Sequence, residues 1–219
     1  MRKISGFTLA EVLITLGIIG VVAAMTMPTL MNSTQGAQYK AAYKKALSAL
    51  SQAVTLNVAL DEWSFADLDS DADGNYGLQT MLTSRMNVVR TETGTFEDPK
   101  GATYVAKIGS GGGQGVTGNS VAIGASNITL FFNDGIMFTF NPDETSACTR
   151  ADGATVNECY GFIDVNGIKA PNRIVQCDGT GNTDDDCEIK NPTDIYPVKF
   201  YDQTVLPNSV AARAVLYSK

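Results

Sequence analysis

The sequence contains no histidine. That absence removes His-based acid/base catalysis, Ser-His-Asp and Cys-His nucleophilic schemes, and histidine-ligated zinc in one step. Cysteine is confined to Cys148, Cys159, Cys177 and Cys187, and no two of them form a C-x-x-C pair, which argues against redox and zinc-knuckle motifs. Positive charge is in deficit: 16 Lys and Arg face 23 Asp and Glu, so bulk charge gives no reason to expect a nucleic-acid partner. Apolar residues are not scarce. They make up 44% of 219 residues, enough for one ordinary domain plus an appendage.

A second absence is local. Between Glu11 and Lys40 there is no charged residue, and positions 12 to 31 are dominated by Val, Leu, Ile, Ala, Met and Gly. About 20 helical residues span about 30 Å, the hydrocarbon thickness of a bilayer. Arg2 and Lys3 precede the run, which favours a cytoplasmic N-terminus and an extracytoplasmic remainder. Glu11 stands out, because a lone carboxylate near the head of such a helix costs about 2 to 4 kcal/mol on insertion scales. A secretory signal cut near Ala23-Ala24 leaves Glu11 unexplained, as does a plain uncleaved anchor. Snorkelling of Glu11 to the interface is the bland alternative.

The helical period persists beyond the apolar run. Tyr39, Tyr43, Ala46, Leu47, Leu50, Ala53, Val54 and Val58 recur at steps of three and four, with Lys40, Lys44, Lys45, Ser48 and Gln52 mostly off the stripe. The pattern predicts one helix from about Thr8 to about Leu60, apolar all round in its first half and amphipathic in its second. Pro28 is expected to kink it.

The string Arg2-Lys3-Ile4-Ser5-Gly6-Phe7-Thr8-Leu9-Ala10-Glu11-Val12-Leu13-Ile14 resembles the N-terminus of type IV pilins and of type II secretion pseudopilins. The resemblance covers roughly residues 2 to 31, and Pro28 falls where many members of that family carry a helix-kinking proline. It implies cleavage by a prepilin peptidase after Gly6, N-methylation of Phe7, and pairing of Glu11 with the N-terminal amine of a neighbouring subunit in a filament. Two opposite charges, each expensive in an apolar medium, become tolerable together. Loss of Arg2 and Lys3 with the leader leaves 14 basic against 23 acidic side chains, a net −9.

After Leu60 the composition turns to Asp, Gly, Ser, Thr and Asn with scattered apolar runs. Residues 61 to 75 read as a connector and Gly77 to Asn87 as a short helix. The runs Ile128–Phe132 and Ile136–Phe140 flank Asn133-Asp134-Gly135, a hairpin signal, and further strands are expected at Tyr160 to Val165 and Pro197 to Tyr201. Strands following one long helix predict an α+β fold with the amphipathic half-helix packed on an antiparallel sheet, which is also the pilin-like shape that the resemblance implies. Gly109 to Gly118 lacks the Gly-Lys-Ser/Thr of a phosphate cradle and reads as a surface loop.

Calcium is the one cofactor that the residues raise. Asp69, Asp71 and Asp73 alternate before Gly74 as in the first half of an EF-hand loop, but the twelfth position is Thr80 and not a bidentate Glu. Asp164 and Asn166 open a D-x-N-G-x-K-x-P-N run similar to one near the end of many pilin-like heads, close to where some pseudopilins bind calcium. A solvated acidic turn and a strand-ending turn explain the two runs without metal. Four cysteines permit three pairings. The sequential one, Cys148 with Cys159 and Cys177 with Cys187, is preferred and closes two loops of about ten residues, consistent with an oxidising compartment.

Together these features predict a cleaved leader (1–6), a transmembrane and filament-core helix (7–31), its amphipathic continuation (32–60) and a globular head (61–219). The expected role is a structural subunit of a type IV filament, with no catalytic activity. It would sit in the bacterial inner membrane before assembly and in a periplasmic or surface filament afterwards. Its expected partners are copies of itself, minor pilins or pseudopilins, the prepilin peptidase and an inner-membrane assembly platform. The alternative is a membrane-anchored extracytoplasmic binding module that does not polymerise. A hydrolase using paired carboxylates is the remote rival, since nothing in the sequence identifies such a pair.

Overall fold

The computed structural model describes residues 8–69, 77–94, 96–97, 103–104, 127–142, 145–150, 157–169, 171–178 and 186–217. One helix, α1 (Leu9–Asp61), accounts for 53 of them and continues through Pro28. It starts in a capping box between Thr8 and Glu11, and ends where Glu62 takes a left-handed conformation at φ 56°. A 3-10 turn (Phe65–Asp67) and α2 (Leu78–Arg85) follow.

The strands are β1 (Val88–Thr93), β2 (Phe96–Glu97), β3 (Thr103–Tyr104), β4 (Ile128–Phe132), β5 (Met137–Phe140), β6 (Cys159–Asp164), β7 (Ile195–Tyr201) and β8 (Thr204–Pro207), before a last helix, α3 (Val210–Tyr217). Six of them form one antiparallel sheet in the order β1-β4-β5-β6-β7-β8, and β2 pairs with β3. The architecture is α+β, as the sequence predicts. The expected hairpin is β4–β5, where Gly135 supplies φ 85° and the Ile136 N–H donates to Asp134 Oδ1 at 3.2 Å.

The amphipathic half of α1 lies in the main core. Tyr43, Ala46, Leu47, Leu50, Ala53 and Val54 are buried with Leu130, Phe138, Phe140, Tyr196, Val198 and Phe200 of the sheet. Tyr43 stacks on Tyr196 with ring centroids 4.0 Å apart. Asn57 is also buried, and is satisfied: its Nδ2 donates to the carbonyls of Ala53 and Met81, and its Oδ1 accepts from Arg85 Nε at 3.2 Å. That bond set ties α1 to α2. A smaller cluster of Met137, Phe162 and Ile195 packs with Ile168 and Ile174. Strand β6 approaches β5 closely, since a Cβ on Gly161 would lie 2.7 Å from the Phe138 ring.

Candidate functional site

The first site is the head of α1. Glu11 faces back over the first turn, and its Oε2 accepts from the Thr8 backbone N–H at 2.8 Å and the Thr8 hydroxyl at 2.9 Å. The Glu11 N–H returns to the Thr8 hydroxyl oxygen at 3.3 Å. A carboxylate at the N-terminal end of a helix also meets the positive end of its dipole. The chain by itself therefore already answers part of the cost of Glu11. Gly6 and Phe7 lie outside the described residues.

Beyond Glu11 the helix presents apolar side chains on every face. Residues Leu9–Pro28 are long and apolar enough to cross a membrane, and none of that stretch is buried among the described residues. Leu13, Ile14, Ile18 and Ile19 are each more than 60% exposed. A surface of that kind needs lipid or other protein around it.

This end of the chain is also where the comparisons with known proteins meet it. The model of the prokaryotic N-terminal methylation motif matches residues 1–27. The chain carries the signature of type IV pilins and pseudopilins. The motif and the apolar helix together fit a membrane-anchored, pilin-like precursor. No curated protein and no solved structure matches the chain.

The second site is the D-x-N-G-x-K-x-P-N run. Asp164 is buried, and its Oδ1 accepts from the Asn166 N–H at 3.1 Å. Asn166 Nδ2 donates to the Tyr39 hydroxyl at 3.3 Å, which fastens the turn to α1. Gly167 takes φ 70° and Asn172 takes φ 48°. The organiser of the run is Asp194, a residue that sequence reasoning missed. Wholly buried, it accepts from the N–H groups of Asn172 at 2.7 Å and Arg173 at 2.8 Å. Burial pushes its pKa up, an effect offset to some extent by those backbone bonds. Burial and then the nearby Asp194 charge likewise raise the pKa of Tyr39. Alongside, Pro192 approaches α1 so closely that a Cβ on Gly36 would lie 3.0 Å from its Cδ.

The remaining candidates are dispersed. Asp69 is exposed beyond the 3-10 turn, Asp71 and Asp73 lie outside the described residues, and Thr80 sits on α2. Gly109 to Gly118 also lies outside them. Among the described residues no group of three or more Asp, Glu or Cys side chains gathers as a metal site would require. The cysteines pair as Cys148–Cys159 and Cys177–Cys187, with Cα atoms 5.5 and 5.1 Å apart. The first anchors a junction: the Asp202 N–H donates to the Cys148 carbonyl, and the Cys148 N–H donates to the Phe65 carbonyl, each within 3.0 Å.

Proposed function

We propose that this chain is the precursor of a structural subunit of a type IV filament, a pilin or pseudopilin, and not a catalyst. The observation that carries the reading is the methylation motif over residues 1–27 joined to an apolar helix that finds no cover among the described residues. In this reading prepilin peptidase cuts after Gly6 and Phe7 becomes the N-methylated first residue. Residues 7–31 hold the subunit in the inner membrane and later pack in the filament core. Residues 32–60 continue the helix into the head, and residues 61–219 form the outer surface. Copies of the chain, minor subunits and an inner-membrane assembly platform are the partners.

Glu11 has a defined task here. In a medium without water its charge finds an opposite charge in the amine of an adjacent Phe7, and that pair sets the register of neighbouring helices. Intact mass and N-terminal sequencing of the protein from its native membrane test the processing, with N-methyl-Phe7 as the expected start. A start at Met25 or an unprocessed Met1 overturns it. Glu11→Ala is expected to abolish filaments while leaving the head folded. Normal function without Glu11 would instead favour an anchored binding module. The open groove of about 310 Å³ between α1, the end of α2 and the β4–β5 turn, whose lining includes Ala49, Ala53, Arg85 and Phe132, is where such a module's ligand would be sought.

A further inference from the structure

Both Thr8 donors end on the same oxygen of Glu11. The backbone N–H and the hydroxyl reach Oε2 at 2.8 and 2.9 Å, and Oε1 accepts no hydrogen bond among the described residues. One hydroxyl therefore works in both directions, donating its proton to Oε2 while its lone pair accepts the Glu11 N–H at 3.3 Å. An ionised carboxylate has room for about four acceptor contacts, so a cap spent on one oxygen leaves the other open to a further donor.

An uncapped Glu11 would be a flexible acid in a medium that offers no water, next to the first-turn N–H groups that α1 leaves without helical partners. It would have to be ordered at the moment a neighbour docks. The cap orders it beforehand, and ordering a side chain before binding removes that cost from the binding step. We propose that Thr8 is a positioning residue: it holds Glu11 by Oε2 and presents Oε1 to the N-terminal amine of a neighbouring copy. This rests on the filament reading above.

Three substitutions separate positioning from simple helix capping. Thr8→Val keeps the β-branched shape and the backbone N–H but has no hydroxyl. Thr8→Ser keeps the hydroxyl. Thr8→Gly is nearly as good an N-cap as Thr yet offers Glu11 no side-chain donor. Filament yield would be measured per processed subunit, with intact mass counting the processed pool, and Glu11→Ala run in parallel. The expected result is a fall of about fivefold for both Thr8→Val and Thr8→Gly, the factor that loss of the one hydroxyl-to-carboxylate hydrogen bond brings, with Thr8→Ser near wild type.

Thr8→Val at wild-type yield, while Glu11→Ala makes no filament, would overturn the positioning role and leave the filament reading intact. Thr8→Gly at wild-type yield beside a defective Thr8→Val would reduce Thr8 to a helix cap and equally overturn it. Normal filaments from Glu11→Ala would instead overturn the filament reading itself.

Discussion

The two halves of α1 share one backbone and meet opposite surroundings. In the first, Leu13 and Ile18 are each 61% exposed; in the second, Tyr43 and Val54 are fully buried. The sequence difference behind this is distribution and not apolar content alone. The second half keeps its apolar residues on one stripe and covers that stripe with its own head. The first half has no polar face, and Leu9–Pro28 is left uncovered by the described residues. Gly36 marks the changeover as the first buried position along the helix among the described residues, where Pro192 closes against it.

The strongest way to break this comparison is to place the same charge in both halves. Val54→Asp is expected to destabilise the head by about 3 to 5 kcal/mol, the cost of an unpaired buried charge. Ile18→Asp should leave the head's thermal melting in detergent within about 0.5 kcal/mol of wild type, as befits a position that touches no region of it. Equal losses at the two sites would mean that the halves are not independent. A middling effect is expected from Asn57→Ala, which strips Met81 and Arg85 of their buried partner. Denaturant unfolding should register a loss of about 1 to 3 kcal/mol with an unchanged m-value.

The smallest effect sharpens the comparison at the base of the head. Because the folded-state pKa of Asp194 is raised, the folded chain holds that proton more tightly than the unfolded chain, whose carboxyl titrates near 3.8. Stability from this group is therefore lost above the raised pKa, and gained as pH falls through it towards 3.8. The margin by which wild type exceeds Asp194→Asn in melting temperature should widen over that interval. A margin that narrows on acidification would show that the backbone bonds, and not burial, govern Asp194.

What could be read from the sequence was what depends on near neighbours. The extent of α1, the turn at Asn133 to Gly135, α2 and strands β6 and β7 all follow from period, caps and turn residues within a few positions. The disulfides also join neighbours, 11 and 10 residues apart. Elements that depend on distant partners were missed. Strand β1 is an edge with Arg90, Thr91 and Glu92 in its middle and owes its place to β4. Strand β8 is four residues long and ends in Pro207, a sequence that means little until β7 lies beside it. Helix α3 has only eight residues, although Ser209, whose hydroxyl accepts from the Ala212 N–H, was a cap signal available to be read.

The D-x-N-G-x-K-x-P-N run shows the same limit at site level. Asp164 and Asn166 were visible as a turn, and the structure bonds the Asn166 N–H to Asp164 and the Asn166 side chain to Tyr39 and Asp194. Asp194 itself gave no local signal, because it acts on backbone groups 22 and 21 positions earlier in the chain. A buried carboxylate that orders a distant loop looks, in sequence, like any other aspartate.

The path of the chain has a mechanical consequence. The polypeptide leaves α1 only after Asp61, and the head folds back alongside the helix it has just left. A pull that separates a held first half from the head would load the packed stripe from Tyr43 to Val54 in shear. Every contact along that splice would have to slip together, whereas strands pulled from an end unzip bond by bond. Both disulfides close short loops beyond α1 and do not join the helix to the sheet. A long tether and a strong joint are here the same piece of helix.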